Sequence, residues 1–402
     1  MAKIGGFFRE YLKKQPLFKN KKALQASYTP DEIPHREEQM NHVAAVLAPA
    51  LRLDKPSNLF LYGKTGTGKT LVVKHVVAQM LEIAEEKKLP LSIVYLNCKM
   101  KRVADTEYRL IVQLAREFGK EIPATGLPTD EVYKLFLNHL DNRERLIILV
   151  LDEIDQLVRK AGDEFLYNLT RINTELKNVE ISLLGISNDL MFLDNIDPRV
   201  KSSLSEEELV FPPYNALQIQ DILRCRSEEG FFENIVAGGV IEKCAAYAAR
   251  EHGDARRALE LLRVSGELAE RKNKQIVEID DIDEAEDKIE KDKVFDVVTT
   301  QPKQSQIALL SIFDITEKNT NHQPIFTGDV YEVYKETCMK VKLKPLTQRR
   351  VSDIIAELDM LGIINAKVIS KGRYGRTRDI TLAIPPSAVP NIRVNLKEAL
   401  NL

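Results

Sequence analysis

Ten residues, LYGKTGTGKT (61–70), constrain this chain more than any other stretch. Gly63, Gly68, Lys69 and Thr70 fit the spacing G-x-x-x-x-G-K-[ST]. Glycines there let the backbone turn tightly, so that several N–H groups, those of Thr65, Gly66 and Thr67 among them, face one point. An apolar run, NLFLY (58–62), precedes the loop and reads as a buried strand. After it, Val72, Val73, Val76, Val77, Met80, Leu81 and Ala84 fall at helical spacing. The helix would turn the positive end of its dipole toward the same point. A strand, loop and helix in this order cradle phosphates: Lys69 reaches the β- and γ-phosphates, and the Thr70 hydroxyl binds Mg²⁺.

The surrounding pattern predicts the fold class. LSIVYLN (91–97), LIILVL (146–151) and ISLLGIS (181–187) are further short apolar runs separated by helical patterns. Strands apolar throughout, alternating with helices, indicate an α/β core with a parallel sheet covered on both faces. LDEID (151–155) ends one of these strands in two carboxylates. Beside a phosphate loop, Asp152 would hold Mg²⁺ through water, and Glu153 would polarise an attacking water as general base. Asn188, at the end of the following strand, would orient that water or touch the γ-phosphate.

After FPPY (211–214) the pattern turns all-helical. Asn215 is placed to cap the first helix, AYAAREHGDARRALELLRVSGELAE (245–269) covers a pair broken near Gly253, and the charged segment 278–293 reads as an exposed helix. Residues 297–306 read as a linker. Two further helices follow, joined by a short turn containing Pro345. Thr347 would cap the second, whose inward face would be Ile354, Ile355, Leu358 and Leu361. Its first turn holds Gln348, Arg349 and Arg350. Two arginines at a helix start oppose the dipole, which points to an external anion. Next come two apolar-alternating segments around KGRYGRT (371–377), where Lys371, Arg373 and Arg376 would neutralise phosphates and Tyr374 would pack on the backbone edge. With Arg378 this is a winged-helix layout, the kind that reads DNA from the start of its second helix. Some winged helices bind protein instead.

Composition agrees with two or three domains in 402 residues. Cys98, Cys225, Cys244 and Cys338 lie far apart with no C-x-x-C pair, so a reduced, cytoplasmic setting is expected rather than a disulfide framework or a zinc site. No 18-residue apolar stretch predicts a membrane span, and no signal-peptide core opens the chain. The net charge of −2 conceals an asymmetry. Residues 1–27 carry seven Lys/Arg against one acidic residue, residues 300–402 fifteen against ten, and residues 28–299 thirty-six against forty-nine. Basic ends around an acidic middle suit a polyanion, although an uneven solvated surface would look the same.

The loop, LDEID, Asn188, NIDPRVKSSL (195–204) and HGDARRAL (252–259) together resemble AAA+ ATPases. More narrowly, with IPHRE (33–37), FPPYNALQIQDILRCR (211–226) and KGRYGRTR, they are similar to the archaeal initiators related to the origin recognition complex and the cell-division-cycle-six protein. The resemblance covers roughly residues 28–385. It implies an AAA+ α/β core (28–210), a helical lid (211–296) and a winged-helix domain with its linker (297–402), after a basic amino-terminal arm (1–27) that the charge count alone suggests. It implies that Arg199 reaches into a neighbour's site and that Arg256 senses the γ-phosphate, Arg257 lying on another helical face. Tyr214 and Arg226 would sit against the nucleotide, beside His35 and Arg36. Lys101 and Arg102 would lie where this family inserts an extra DNA-contacting helix. The implied function is ATP-regulated recognition of duplex origin DNA, with ATP/ADP and Mg²⁺ as cofactors, slow switch-like hydrolysis, nucleoid association, and other initiator subunits and a replicative helicase as partners. A branch-migration motor and a signalling ATPase with a winged helix share the same parts.

Overall fold

Three of the five strands of the main sheet arise where an apolar run alternates its side chains between two buried faces, and a fourth, at one edge, is apolar but half-buried. The computed structural model describes residue 8 and residues 15–99, 107–123, 125–204, 206–319, 323–370, 376–384 and 388–402. Backbone contacts divide the chain into two compact units, Met1–Ile282 and Asp283–Leu402.

The first unit carries β1 (Leu59–Tyr62), β2 (Leu91–Asn97), β3 (Arg145–Asp152), β4 (Val179–Ser187) and β5 (Glu207–Val210), all parallel in the order β2-β3-β4-β1-β5. Leu59, Leu61, Ile148, Val150, Leu184 and Ile186 pack on one face with α1 (Glu37–Leu47) and α2 (Lys69–Glu86). Phe60, Ile147, Leu149, Leu151 and Leu183 pack on the other. There they meet α3 (Glu107–Glu117), α4 (Thr129–Leu140), α5 (Ile154–Ala161), α6 (Glu164–Arg171) and α7 (Pro198–Leu204). Both faces are thus apolar, as parallel sheets require. The strand β5, EELV, lacks an apolar run. It is an edge strand with Glu207, Glu208 and Val210 exposed, and an edge strand can carry charge in place of such a run.

Three helices follow: α8 (Ala216–Gly230), α9 (Val240–Arg250) and α10 (Ala255–Arg271). Asn215 caps α8 in a capping box with Gln218. Of the basic amino-terminal arm, residues 15–27 pack onto these helices. Leu17, Ala23 and Leu24 are buried, Phe18 stacks on Phe231 at 4.7 Å, and Lys19 and Asn20 donate their amides to the Gly230 carbonyl. Lys21 pairs with Glu267 at 2.9 Å. Four apolar residues interleaved with the lysines strap this segment onto the helices.

The charged segment expected to be an exposed helix lies in α11 (Ile279–Thr299), and it too differs from expectation. Ile282, Ala285 and Ile289 are buried at helical spacing. Asp281, fully buried, accepts from Lys272, Lys274 and the Glu278 amide. The linker over 297–306 shrinks to Thr300–Pro302, since α11 runs to Thr299 and α12 (Lys303–Lys318) starts at once. Val298 is core, and Phe295 and Val297 pack against it.

The second unit continues with β6 (Ile325–Phe326), α13 (Thr327–Lys340), α14 (Gln348–Met360), β7 (Ile364–Ser370), β8 (Arg376–Leu382) and α15 (Val389–Leu400). Its sheet is antiparallel in the order β6-β8-β7. Val351, Ile354, Ile355 and Leu358 form the inward face of α14. Leu361 does not join them: the helix ends at Met360, and Leu361 is a 46 % exposed cap residue.

Candidate functional site

Parallel register brings the candidate residues to one edge. Tyr62 lies opposite Ser187, and Asp152 lies opposite Ile186 and Asn97. The loop after β1, the carboxylates ending β3 and Asn188 after β4 therefore leave the sheet side by side, at the carboxyl ends where such sheets bind ligands.

In the loop, Lys69 is buried, and its ammonium donates to the Gly63 and Lys64 carbonyls at 2.7 and 2.8 Å and to Thr67 Oγ1 at 3.5 Å. Thr67 in turn donates to Lys64 O. Burial first, and Arg256 next, push the Lys69 amine down to about 8. Gly68 holds φ +90 at the start of α2, and a Cβ there would meet the Tyr214 hydroxyl at 2.8 Å. Gly66, at φ +77, lies under the start of α10: a Cβ would meet Asp254 Oδ1 at 1.8 Å. Asp254 caps α10, accepting from the amides of Arg256 and Arg257. Thr65 is exposed at the tip.

Thr70 donates its hydroxyl to Asp152 Oδ2 at 3.0 Å, while Asp152 Oδ1 accepts from the Glu153 amide at 2.9 Å. Two hard oxygen ligands, a hydroxyl and a carboxylate, are the donor set that Mg²⁺ takes. Tyr95, from β2, also donates to Asp152 Oδ2. Burial, and then Asp152, push its phenol above the usual range, so it stays a donor. Glu153 sits at φ 56, the left-handed region, ahead of α5, with its carboxylate 3.5 Å from the Lys99 ammonium. Asp155, 3 % exposed, accepts from Ser187 Oγ and from the Asn188 amide, tying the β3 and β4 tips together.

Beside the loop opens a cavity of about 530 Å³. Gly66, Gly68 and Thr70 line one side, residues 26–34 another, and Tyr214, Arg226 and Arg256 complete it. Arg226 lies over the Tyr28 ring at 4.6 Å and donates to Gln25 O. Tyr28 donates to Glu229. Arg256 is exposed toward this space, whereas Arg257 is buried beside Glu251 and Glu260. His35 and Arg36 are not on the cavity wall. His35 pairs with Asp221 at 3.0 Å. Arg36 is buried beneath Tyr214, 3.9 Å from its ring, and donates to Thr67 O and Pro212 O. It clamps the loop to the chain that leads into α8.

Three residues here escape sequence reading. Tyr95 depends on strand register, although a lone tyrosine near the end of an aliphatic strand is a signal. Lys99 carries none. Asp254, just before a helical run, has the mark of an N-cap.

Arg199 is exposed at the start of α7, held to Asp197 (Nη2 to Oδ2 2.7 Å) and 5.1 Å from the Tyr167 ring. Its guanidinium holds the Asp197 carboxyl down at about 2. In the second unit, Thr347 caps α14, and Gln348, Arg349 and Arg350 are exposed on its first turn, Arg350 reaching Asp353 at 3.5 Å. The end of α13 and the turn before α14 bear exposed Lys340, Lys342 and Lys344, and three side chains pin the turn. Tyr334 accepts from Leu346 N, Tyr331 donates to Leu346 O, and Gln304 donates to Lys344 O. Arg378 is half-buried on β8. Lys371, Arg373, Tyr374, Lys101 and Arg102 lie outside the described residues, as does the Arg376 side chain. No described helix is long and apolar enough to cross a membrane, and all four cysteines are free.

Three family models match the chain: an AAA domain over residues 52–191, a Cdc6 AAA+ ATPase-type lid domain over 220–287 and the CDC6 C-terminal winged helix domain over 296–391. An ORC1-type DNA replication protein of Thermococcus onnurineus is 51% identical over 393 residues, spanning 97% of this chain and 94% of its own. ORC1-type DNA replication protein 1 of Methanosarcina mazei is 50% identical over 399 residues, with 99% and 95% covered. The Aeropyrum pernix ORC1 protein, solved in complex with DNA, matches with a TM-score of 0.85 at 45% identity, over 96% of this chain and 98% of that one.

Proposed function

The chain belongs to the ORC1-type DNA replication proteins, and from that premise we propose that it is an origin-binding initiator whose grip on duplex DNA is set by ATP. One observation carries the reading: a single chain joins a phosphate loop, with the lid helix seated on its Gly66, to a winged helix with Arg349 and Arg350 exposed at the start of its capped helix. The Aeropyrum relative's complex with DNA supports it. In this reading the AAA+ core spans residues 28–210, the helical lid 211–296 and the winged-helix domain with its linker 297–402, after the amino-terminal arm of residues 1–27.

ATP lies in the 530 Å³ cavity, its base end among residues 26–34, Tyr214 and Arg226, its phosphates on the amides of Thr65, Gly66, Thr67 and Gly68. Lys69 and Arg256 meet the β- and γ-phosphates, so the lid follows the nucleotide state. His35 and Arg36 act from behind Tyr214, through the loop and the hinge. Thr70 and Asp152 would hold Mg²⁺, which supplies charge neutralisation on the phosphates. Glu153 takes the proton of the attacking water, and Asn188, fixed by Asp155, orients that water. Arg199 of a neighbouring copy completes the site. Hydrolysis is slow and acts as a switch. The winged helix holds the duplex through Gln348, Arg349, Arg350 and Arg378, the turn lysines 340, 342 and 344, and the wing residues Lys371, Arg373, Tyr374 and Arg376. Lys101 and Arg102 add a contact from the core. Other initiator subunits join at the origin, and the replicative helicase is loaded there.

The test is a salt titration of duplex binding. Arg349→Ala with Arg350→Ala should weaken binding about tenfold and lower the slope of log K against log salt by about 2, one per lost phosphate contact. Equal slopes for parent and variant, or no duplex binding by the parent at low salt, would remove the DNA reading.

The Lys69 amine gives a second test. Its lowered value, about 8, means that a triphosphate must restore the proton that burial disfavours. ATP affinity should be highest below pH 8 and fall as pH rises through it. At pH 9, calorimetry in buffers of different ionisation heat should show proton uptake on binding. Absence of uptake there would place Lys69 away from the phosphates.

A further inference from the structure

Two hydroxyls converge on one carboxylate oxygen at the end of β3. Asp152 Oδ1 is committed to the Glu153 amide, and Oδ2 accepts from Thr70 and from Tyr95. The carboxylate is therefore held at both oxygens and cannot rotate freely about its χ2, a torsion that is broad in the absence of partners. Tyr95 reaches it from the neighbouring strand, where the pairing of Tyr95 with Val150 and Asn97 with Asp152 sets its height. Behind the ring lies Lys74, its ammonium 5.1 Å from the centroid, one helical turn after Thr70 on α2. The tyrosine thus links the helix that bears Thr70 to the strand that bears Asp152. Packing alone asks only for a ring at this half-buried position, which phenylalanine supplies. The hydroxyl serves the carboxylate.

We propose that Tyr95 is a positioning residue for the divalent cation of the hydrolysis site: its phenol fixes the Asp152 carboxylate in the orientation that, with the Thr70 hydroxyl, receives the ion. This rests on the reading of Thr70 and Asp152 as the metal-holding pair. Groups that orient a ligand from outside the coordination shell fix its geometry without touching the metal, and their loss weakens metal affinity by about 10–100-fold.

Tyr95→Phe in the full chain is the test, with Mg²⁺ titrated against a fixed concentration of a fluorescent ATP analogue. The half-saturating Mg²⁺ concentration should rise about tenfold or more. Analogue binding in EDTA should be unchanged, and excess Mg²⁺ should restore turnover. A purely structural tyrosine would lower the thermal midpoint and leave the Mg²⁺ midpoint where it was; an Mg²⁺ midpoint within twofold of the parent overturns the proposal. If the parent itself binds and hydrolyses ATP without Mg²⁺, the metal reading of Thr70 and Asp152 fails first, and this inference fails with it.

Discussion

A Glu153→Gln chain should bind ATP as tightly as the parent and turn it over about 10²–10⁴-fold more slowly, the span by which a positioned general base accelerates a reaction. Gln keeps the shape of Glu and removes its basicity, so the change isolates proton transfer. Glu153 adopts φ 56 without being glycine, and non-glycine residues in that region hold strain that collects at functional sites. The Asp152 Oδ1 bond to the Glu153 amide helps to maintain that conformation. The Lys99 ammonium at 3.5 Å does not disable the carboxylate, because Lys99 is 70% exposed and such pairs hold weakly. Single-turnover phosphate release measures hydrolysis, and fluorescent-analogue titration measures binding. Turnover within threefold of the parent would remove Glu153 from the chemistry. A parallel loss of binding would make it a structural residue.

Contiguous features were legible in the sequence; features that depend on which element lies beside which were not. The phosphate loop is ten adjacent residues whose geometry is local, so the turn into α2 could be read from spacing. Strands β1, β3 and β4 could be read because burial on both faces forces apolar runs, and β2, though a half-buried edge strand, keeps such a run. The strand β5 could not, since an edge strand is free to carry Glu207 and Glu208. Charge misled twice. In residues 15–27 the lysines dominate the count while Leu17, Phe18, Ala23 and Leu24 do the packing. In α11 the acidic residues hide the stripe of Ile282, Ala285 and Ile289. Tyr95 contacts Asp152 only because β2 and β3 pair in one register, and no pattern within LSIVYLN specifies that register. The partners of Arg36 are not legible in IPHRE: it donates to the Thr67 and Pro212 carbonyls, which lie far off in sequence, since a buried guanidinium satisfies its donors where it lies.

The contact between Gly66 and Asp254 makes a second large effect expected. In Gly66→Ala the new methyl would lie 1.8 Å from Asp254 Oδ1 and 2.9 Å from its Cα, so a rotamer change cannot relieve the clash. Alanine at φ +77 adds about 1–2 kcal/mol of backbone strain. The start of α10 must lift off the loop, which breaks the Ala255 amide bond to Gly66 O. Arg256 follows Asp254 by two residues and lifts with it. Loss of a charge-assisted contact to the γ-phosphate is worth about 1.5–3 kcal/mol, so ATP affinity should fall roughly tenfold to a hundredfold. ADP lacks the γ-phosphate and should lose far less, so the preference for ATP over ADP should collapse. Asp254→Ala is the control. It removes the cap, at a cost of about 1 kcal/mol in stability, but leaves the glycine and its close approach intact. Calorimetry with both nucleotides distinguishes the two variants. If Gly66→Ala weakens ATP and ADP equally, the lid does not read the third phosphate through Arg256, and the coupling of nucleotide state to lid angle must lie elsewhere.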